Sequence, residues 1–405
     1  MSTRYLLIGG GLACHEAAKG IRGLDADGLI TIVSEEPELP YNRPPLSKQF
    51  LAGSMPRERL FFPRKDEYER LKIETILGRK VTSLDMTRKV VRLDNGTEVG
   101  FDKILLATGG TPRLPPIAGG NDPRLHVLRT VADAQRIAEA AETAEVAVII
   151  GAGFIGLELA ATIAAKGVKV TVVERESRLW ERVATPEASA MIRSYCEAKG
   201  VKFLMSQAIT AVQVGKPCTV MTERAEVAGD FVVVGIGISP NVELAIAAEL
   251  EIDNGIIVDQ TLRTSHPDIY AAGDVCCYPD PYLGAMRRVE HWGHARMSGG
   301  CAGRNMAGAN ETYDHLSYVW SEIFGLRINA AGLLPHGCQI FVRGTYSDNQ
   351  VAEFYVRDDV LVGCMTIGLP PRLFSTLKKI IAARTTIAGR ESELLDADDD
   401  LSSWV

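Results

Sequence analysis

Val146-Ala147-Val148-Ile149-Ile150-Gly151-Ala152-Gly153-Phe154-Ile155-Gly156 is the stretch whose reading decides the fold. Five consecutive apolar residues predict a short buried strand, and the glycines that follow predict a tight turn into a helix over Leu157 to Lys166. Val168 to Val173 predicts a second strand, and Glu174 follows it, 21 residues after Gly153. Such a strand–turn–helix–strand unit sets a pyrophosphate on the positive end of a helix, and glycine lets the backbone approach it. The acid at the end of the second strand accepts hydrogen bonds from the adenosine ribose. A carboxylate there repels a 2′-phosphate, so NADH is favoured over NADPH, although Arg175 beside it is a side chain able to accept a phosphate.

Residues 4–36 repeat the pattern. Tyr5 to Ile8 is the strand, Gly9-Gly10-Gly11-Leu12-Ala13-Cys14 the turn, and Glu16 to Arg22 the helix; Leu29 to Val33 is the second strand and Glu35 the acid. Cys14 stands in the third glycine place, where small size serves helix–strand packing. A lone glycine fingerprint is weak, but two in register with strands, helix and acid predict two dinucleotides, FAD in the first and a nicotinamide in the second. Two apolar strands ending in glycine complete the first unit. They are Asp102 to Gly110, which contains Ala107-Thr108-Gly109, and Asp268 to Asp274, where Gly273 would admit a ligand and Asp274 would meet ribityl hydroxyls.

At 405 residues the chain is long enough for two or three domains. Its net charge of −7 argues against nucleic acid, which needs a basic face. The longest apolar runs, such as Phe231 to Ile238, fall far short of the roughly 18 residues of a membrane span, and no signal segment is evident, so a cytoplasmic protein is expected. The cysteines (14, 196, 218, 276, 277, 301, 338 and 364) show no CxxC and read as small buried residues, with the adjacent Cys276 and Cys277 the one pair to note. No metal-ligand spacing appears among the histidines.

The chain resembles the NADH-dependent ferredoxin/rubredoxin reductase family, flavoproteins of oxygenase electron-transfer chains related to apoptosis-inducing-factor-like proteins. The resemblance is carried by Pro40-Tyr41-Asn42-Arg43-Pro44-Pro45-Leu46-Ser47-Lys48, Ala107 to Gly110, Leu128-Arg129-Thr130, Gly151 to Glu158, Gly235-Ile236-Gly237, Ala271 to Asp274, Arg288-Val289-Glu290-His291-Trp292, and Trp320-Ser321. It implies a glutathione-reductase-like α/β fold of two Rossmann-like dinucleotide-binding domains plus a small α+β C-terminal domain. The expected bounds are 1–113 with 237–312 for the FAD domain, 114–236 for the NAD domain and 313–405 for the last.

The resemblance also implies residue roles. Gly9, Gly11, Leu12 and Ala13 would line the FAD pyrophosphate, Glu35 the adenosine ribose, and Val81 the adenine. Arg43 would lie at the pyrophosphate, Arg129 and Asp274 at the middle of the cofactor, and Trp292 and Trp320 beside the flavin ring, with Ala107, Thr108, Gly109, Gly273, Glu290 and His291 in the same shell. Gly151, Gly153, Phe154, Ile155, Gly156, Glu174, Arg182 and Gly237 would take NADH. Lys48 and Glu158 are the implied catalytic pair. The implied partner is a small iron–sulfur carrier, a ferredoxin or rubredoxin, served by a monomer or homodimer. The alternatives are an apoptosis-inducing-factor-like NADH sensor and an NADH oxidase or quinone reductase. A disulfide reductase is disfavoured, because no cysteine stands between Pro40 and Gly53.

The C-terminal segment predicts strand character over Asn329 to Arg343 and Gln350 to Val362, a helix over Leu373 to Ala383, and a solvated tail at Asp396, Asp398, Asp399 and Asp400.

Overall fold

The computed structural model describes residues 2–62, 66–397, 399 and 401–404. By internal contacts they form two units: 1–42 with 57–111 and 239–317, and 43–56 with 112–238 and 318–405.

The first unit is built on a five-stranded parallel sheet in the order 269–271, 103–106, 4–8, 29–34, 73–77. Arg4–Ile8 is its central strand, and connections leave it in both directions, so its carboxyl end is the switch point where ligands bind in such sheets. The helix after it runs Leu12–Leu24, four residues earlier than the sequence pattern marked, because the turn itself supplies the first helical residues. The strands are apolar on both faces, as Leu6, Leu7, Ile32, Ile104 and Leu105 all lie buried.

The Trp292–Met306 helix packs against Leu12–Leu24 unusually closely. A Cβ on Gly299 would stand 2.4 Å from the Ala13 carbonyl oxygen, one on Gly303 2.2 Å from that of Ala17, and one on Gly20 2.6 Å from that of Gly300. Backbone therefore meets backbone along the crossing, and no side chain can be added there without moving a helix.

Beside this crossing His294 is fully enclosed. Its Nδ1 lies 2.8 Å from the Tyr313 hydroxyl, its Nε2 3.4 Å from Cys276 Sγ, and its ring stacks on Tyr278 at 4.9 Å. His15 is buried too, 2.9 Å from the Tyr68 hydroxyl. Burial holds the His294 ring down at about 3 and the His15 ring at about 4, so both are neutral in the folded protein.

The second unit has its own five-stranded parallel sheet, in the order 202–204, 169–173, 146–150, 231–234, 126–127. Here too the strand before the glycine turn is central. Residues 318–405 add a five-stranded antiparallel sheet and the Pro371–Ala382 helix, whose Phe374, Leu377, Ile380 and Ile381 are buried. The stretches read as Asn329 to Arg343 and Gln350 to Val362 each prove to be parts of two strands. Leu326–Gly332 ends at Gly332, with φ +77, before Gln339–Thr345 begins, and Gln350–Arg357 turns at Asp358 and Asp359 into Val360–Ile367.

The tail also differs from expectation. Arg343, buried in its strand, donates to the carbonyls of Glu393, Leu394 and Asp399, and Leu401 and Trp404 are buried, so the segment is anchored. Asp398 and Asp400 lie outside the described residues.

Replacing Gly303 with valine should destabilise the protein by about 3 kcal/mol, through overpacking against helix backbone, seen as a fall in Tm. The two neutral histidines give a pH dependence. Below the ordinary value of about 6.5 the unfolded chain takes up protons that the folded one refuses, so stability falls as pH drops from there towards 4 and 3. The expected loss is about 2 kcal/mol per histidine by pH 5, and a His294→Gln variant should lose less Tm between pH 7 and pH 5 than the wild type.

Candidate dinucleotide-binding sites

Helices normally satisfy their first amides with a side-chain cap. In this chain Thr130 caps Val131–Thr143 through a reciprocal pair with Asp133, Thr185 caps Pro186–Ala198, and His291 Nδ1 accepts from Gly293 to cap Trp292–Met306. The two helices that follow the glycine turns have no such cap, and of the other long helices only Pro371–Ala382, which starts on proline, shares this. Gly11 and Gly153 are their N-caps, neither end has a side-chain cap, and neither first turn holds an acid. A Cβ at Gly11 would meet nothing within 4 Å, and one at Gly153 only the Gly235 oxygen at 3.9 Å. Free amides with open space before them form an anion cradle, and both ends suit a pyrophosphate.

The turns are built to hold these cradles. Gly9, with φ +136, lies where a Cβ would stand 2.2 Å from the Ala107 oxygen, and its amide donates to Val33. Cys14 is fully buried behind it, and burial pushes its thiol up, so this residue packs and does not react. In the second unit Gly151 has φ +99 and a Cβ on Gly156 would stand 2.0 Å from the Gly151 oxygen, which fixes the sharpness of the turn.

Several residues expected at the FAD converge within the first unit. A Cβ on Gly273, at φ +74, would come 3.2 Å from that of Ala13 and 3.8 Å from that of Ala295, so the Asp274 loop lies against the glycine-turn helix. Gly273 donates to Ser298 Oγ at 3.0 Å. Thr108 and Asn241 clasp each other, hydroxyl to carbonyl at 2.7 Å and amide to carbonyl at 3.0 Å, holding the strand end at Ala107 and Gly109; Asn241 carried no sequence signal. Glu35 is exposed, with Lys80 at 3.6 Å, next to buried Val81. His291 serves as a helix cap, and Glu290 pairs with Arg288 at 2.8 Å. Asn42 Oδ1 and Trp292 Nε1 are buried without a protein partner. Buried polar atoms of this kind in the unit that holds the first cradle fit a large polar cofactor, and FAD is of that kind.

The second unit gathers Lys48, Glu158 and Trp320. Lys48 Nζ lies 2.5 Å from Glu158 Oε2 and 5.0 Å from the centroid of the Trp320 ring, and the two charged side chains are only 10% and 4% exposed. Ser47 Oγ donates to Glu158 Oε2 at 2.5 Å and Ser321 Oγ to Oε1 at 2.7 Å. Glu158 is thus a buried carboxylate with both oxygens engaged, and neither serine had been given a role, although both lie in stretches that carry the resemblance. The Thr162 hydroxyl donates to the Ser47 carbonyl at 2.7 Å, which ties residues 43–56 to the Phe154–Ala165 helix. Arg43 donates to the Arg129 carbonyl in the same unit.

Around the second turn, Glu174 accepts from the amides of Ala152 at 2.6 Å and Glu176 at 2.9 Å. Phe154 and Ile155 open the helix. The Phe154 ring lies 4.3 Å from that of Trp180, while Ile155 is exposed. Gly237, at φ +97, has nothing within 4 Å of its Cβ position and accepts from Arg113. Arg182 is exposed. No group of histidine, cysteine or acid able to hold a metal occurs among the described residues, and no helix among them is long and apolar enough to cross a membrane.

Comparison with known proteins agrees with this architecture. The family model for pyridine nucleotide-disulphide oxidoreductases matches residues 3–299, and the reductase C-terminal model matches 318–405. The ferredoxin–NAD(+) reductase component of the anthranilate 1,2-dioxygenase system of Burkholderia cepacia is 36% identical over 94% of each chain. Rhodocoxin reductase of Rhodococcus erythropolis is 34% identical over 98% of this chain and 93% of its own. Among solved structures, the ferredoxin reductase for the CYP199A2 system from Rhodopseudomonas palustris superposes with a TM-score of 0.94 at 30% identity, covering 99% of both chains. The chain belongs to the pyridine nucleotide-disulphide oxidoreductase family, in the branch whose relatives are ferredoxin and rubredoxin reductases.

Proposed function

We propose that the protein is an FAD-dependent NADH oxidoreductase that delivers single electrons to a ferredoxin or rubredoxin and so supplies an oxygenase system. The observation that carries this reading is the pair of uncapped helix ends, each on its own central strand and each followed by an acid. Bound FAD supplies the chemistry that joins a hydride donor to acceptors of one electron.

The chain's own part is binding, orientation and charge. The first glycine turn would hold the FAD pyrophosphate and the second that of NADH, and Glu174 would anchor the adenosine end of the donor. Lys48, held by Glu158 and lying over the Trp320 ring, would offer a buried positive charge to a bound cofactor. The 43–56 segment carries lysine and no cysteine, which accords with electrons leaving to an outside acceptor and not to a thiol pair.

An acidic carrier suits the C-terminal segment. Between Asp359 and Glu391 it holds Arg372, Lys378, Lys379 and Arg384 with no intervening acid, while Arg390 is paired with Glu393 at 2.8 Å, in a chain of net charge −7. A cytoplasmic location accords with the eight unpaired cysteines.

Anaerobic stopped-flow mixing with NADH should bleach the yellow chromophore, and added ferredoxin should restore it faster than oxygen does. Salt should slow that second phase. A protein reoxidised by oxygen as fast as by ferredoxin would favour an oxidase instead. Lys48→Ala should slow bleaching by about tenfold or more. Glu158→Leu, which leaves the Lys48 ammonium buried and unpaired, should destabilise the protein by about 3–5 kcal/mol, read from the denaturant midpoint.

A further inference from the structure

The strand Lys169–Val173 ends in acid, base, acid: Glu174, Arg175, Glu176. Backbone bonds from Glu174 to Leu204, Gln207 to Glu174 and Ser206 to Glu176 clamp this tripeptide in place. Glu174 turns towards the glycine turn and accepts from the Ala152 amide at 2.6 Å. The Arg175 side chain is 74% exposed and is engaged by Glu176, with Nη2 2.9 Å from Oε1. A guanidinium is the side chain best shaped to take a phosphate in two parallel hydrogen bonds. One therefore stands next to the ribose-binding acid, occupied by a neighbouring carboxylate.

We propose that Glu176 is a coenzyme-selectivity residue, holding Arg175 away from the ribose edge of the second dinucleotide turn so that NADPH is refused by two carboxylates acting together. Glu174 opposes the 2′-phosphate by like charge, and Glu176 removes the one cation of the tripeptide that could offset it. With both carboxylates neutralised, Arg175 is free to turn to the 2′-phosphate, and the site accepts NADPH. This inference rests on the second turn being the nicotinamide site.

The FAD-loaded enzyme tests it with 2′,5′-ADP and 5′-ADP as competitors of NADH, which differ in a phosphate at the ribose. Glu176→Gln should tighten 2′,5′-ADP inhibition by about tenfold and leave that by 5′-ADP within about twofold, as expected for one released charge-assisted contact. Glu174→Gln/Glu176→Gln should raise the NADPH-to-NADH ratio of kcat/KM by about 100-fold, and glutamine keeps an oxygen to accept from Ala152. Adding Arg175→Gln to the double variant should abolish both gains. The proposal fails if Glu176→Gln leaves 2′,5′-ADP inhibition unchanged, or if the gain survives loss of Arg175, since mere reduction of negative charge would then account for it. A wild-type enzyme that NADH does not reduce at all would remove the underlying reading of the turn instead.

Discussion

A helix cannot hydrogen-bond its own first amides, and that unmet demand organises this protein. At Gly11 and at Gly153 the chain leaves the demand open in front of empty space, while Thr130, Thr185 and His291 close it on three other helices. Leaving it open has structural conditions. The turn must be sharp enough to present the amides, so Gly9 and Gly151 take backbone angles hostile to side chains. The turn must also sit at the end of a central strand, so parallel neighbours must flank it on both sides. The apolar strands and the packed helices follow from those two conditions.

Much of this was legible in the sequence because it is local. A glycine turn, its two strands and its acid lie within about thirty residues, and each position has a steric reason that spacing alone exposes. The strand break after Gly332 was also written locally, in Pro335 and Gly337, yet period-2 apolar character on both sides masked it. The anchored tail was illegible for a different reason. Its acids suggested solvent, whereas Arg343 holds it by its carbonyls, and carbonyls are common to every residue.

The Lys48 cluster shows where spacing stops being informative. Lys48, Glu158 and Trp320 are far apart in the chain, and only likeness to a family suggested that the first two meet. Ser47 and Ser321 complete the carboxylate's hydrogen bonds, and a serine hydroxyl has no pattern by which to announce that duty. Buried ion pairs gain little net stability, because desolvation offsets attraction. Their use here is geometric: a carboxylate held by two serine hydroxyls fixes the ammonium beside it.

The glycine crossing in the first unit has an evolutionary consequence. Most packed helix pairs drift by exchange, one side growing as the other shrinks. Where Gly299 and Gly303 face the Ala13 and Ala17 carbonyls, there is no smaller residue to retreat to on one helix, and the other presents main chain that mutation cannot trim. Such a contact has no compensating partner, so these positions should be frozen individually and show no covariation, unlike the aliphatic layers around them.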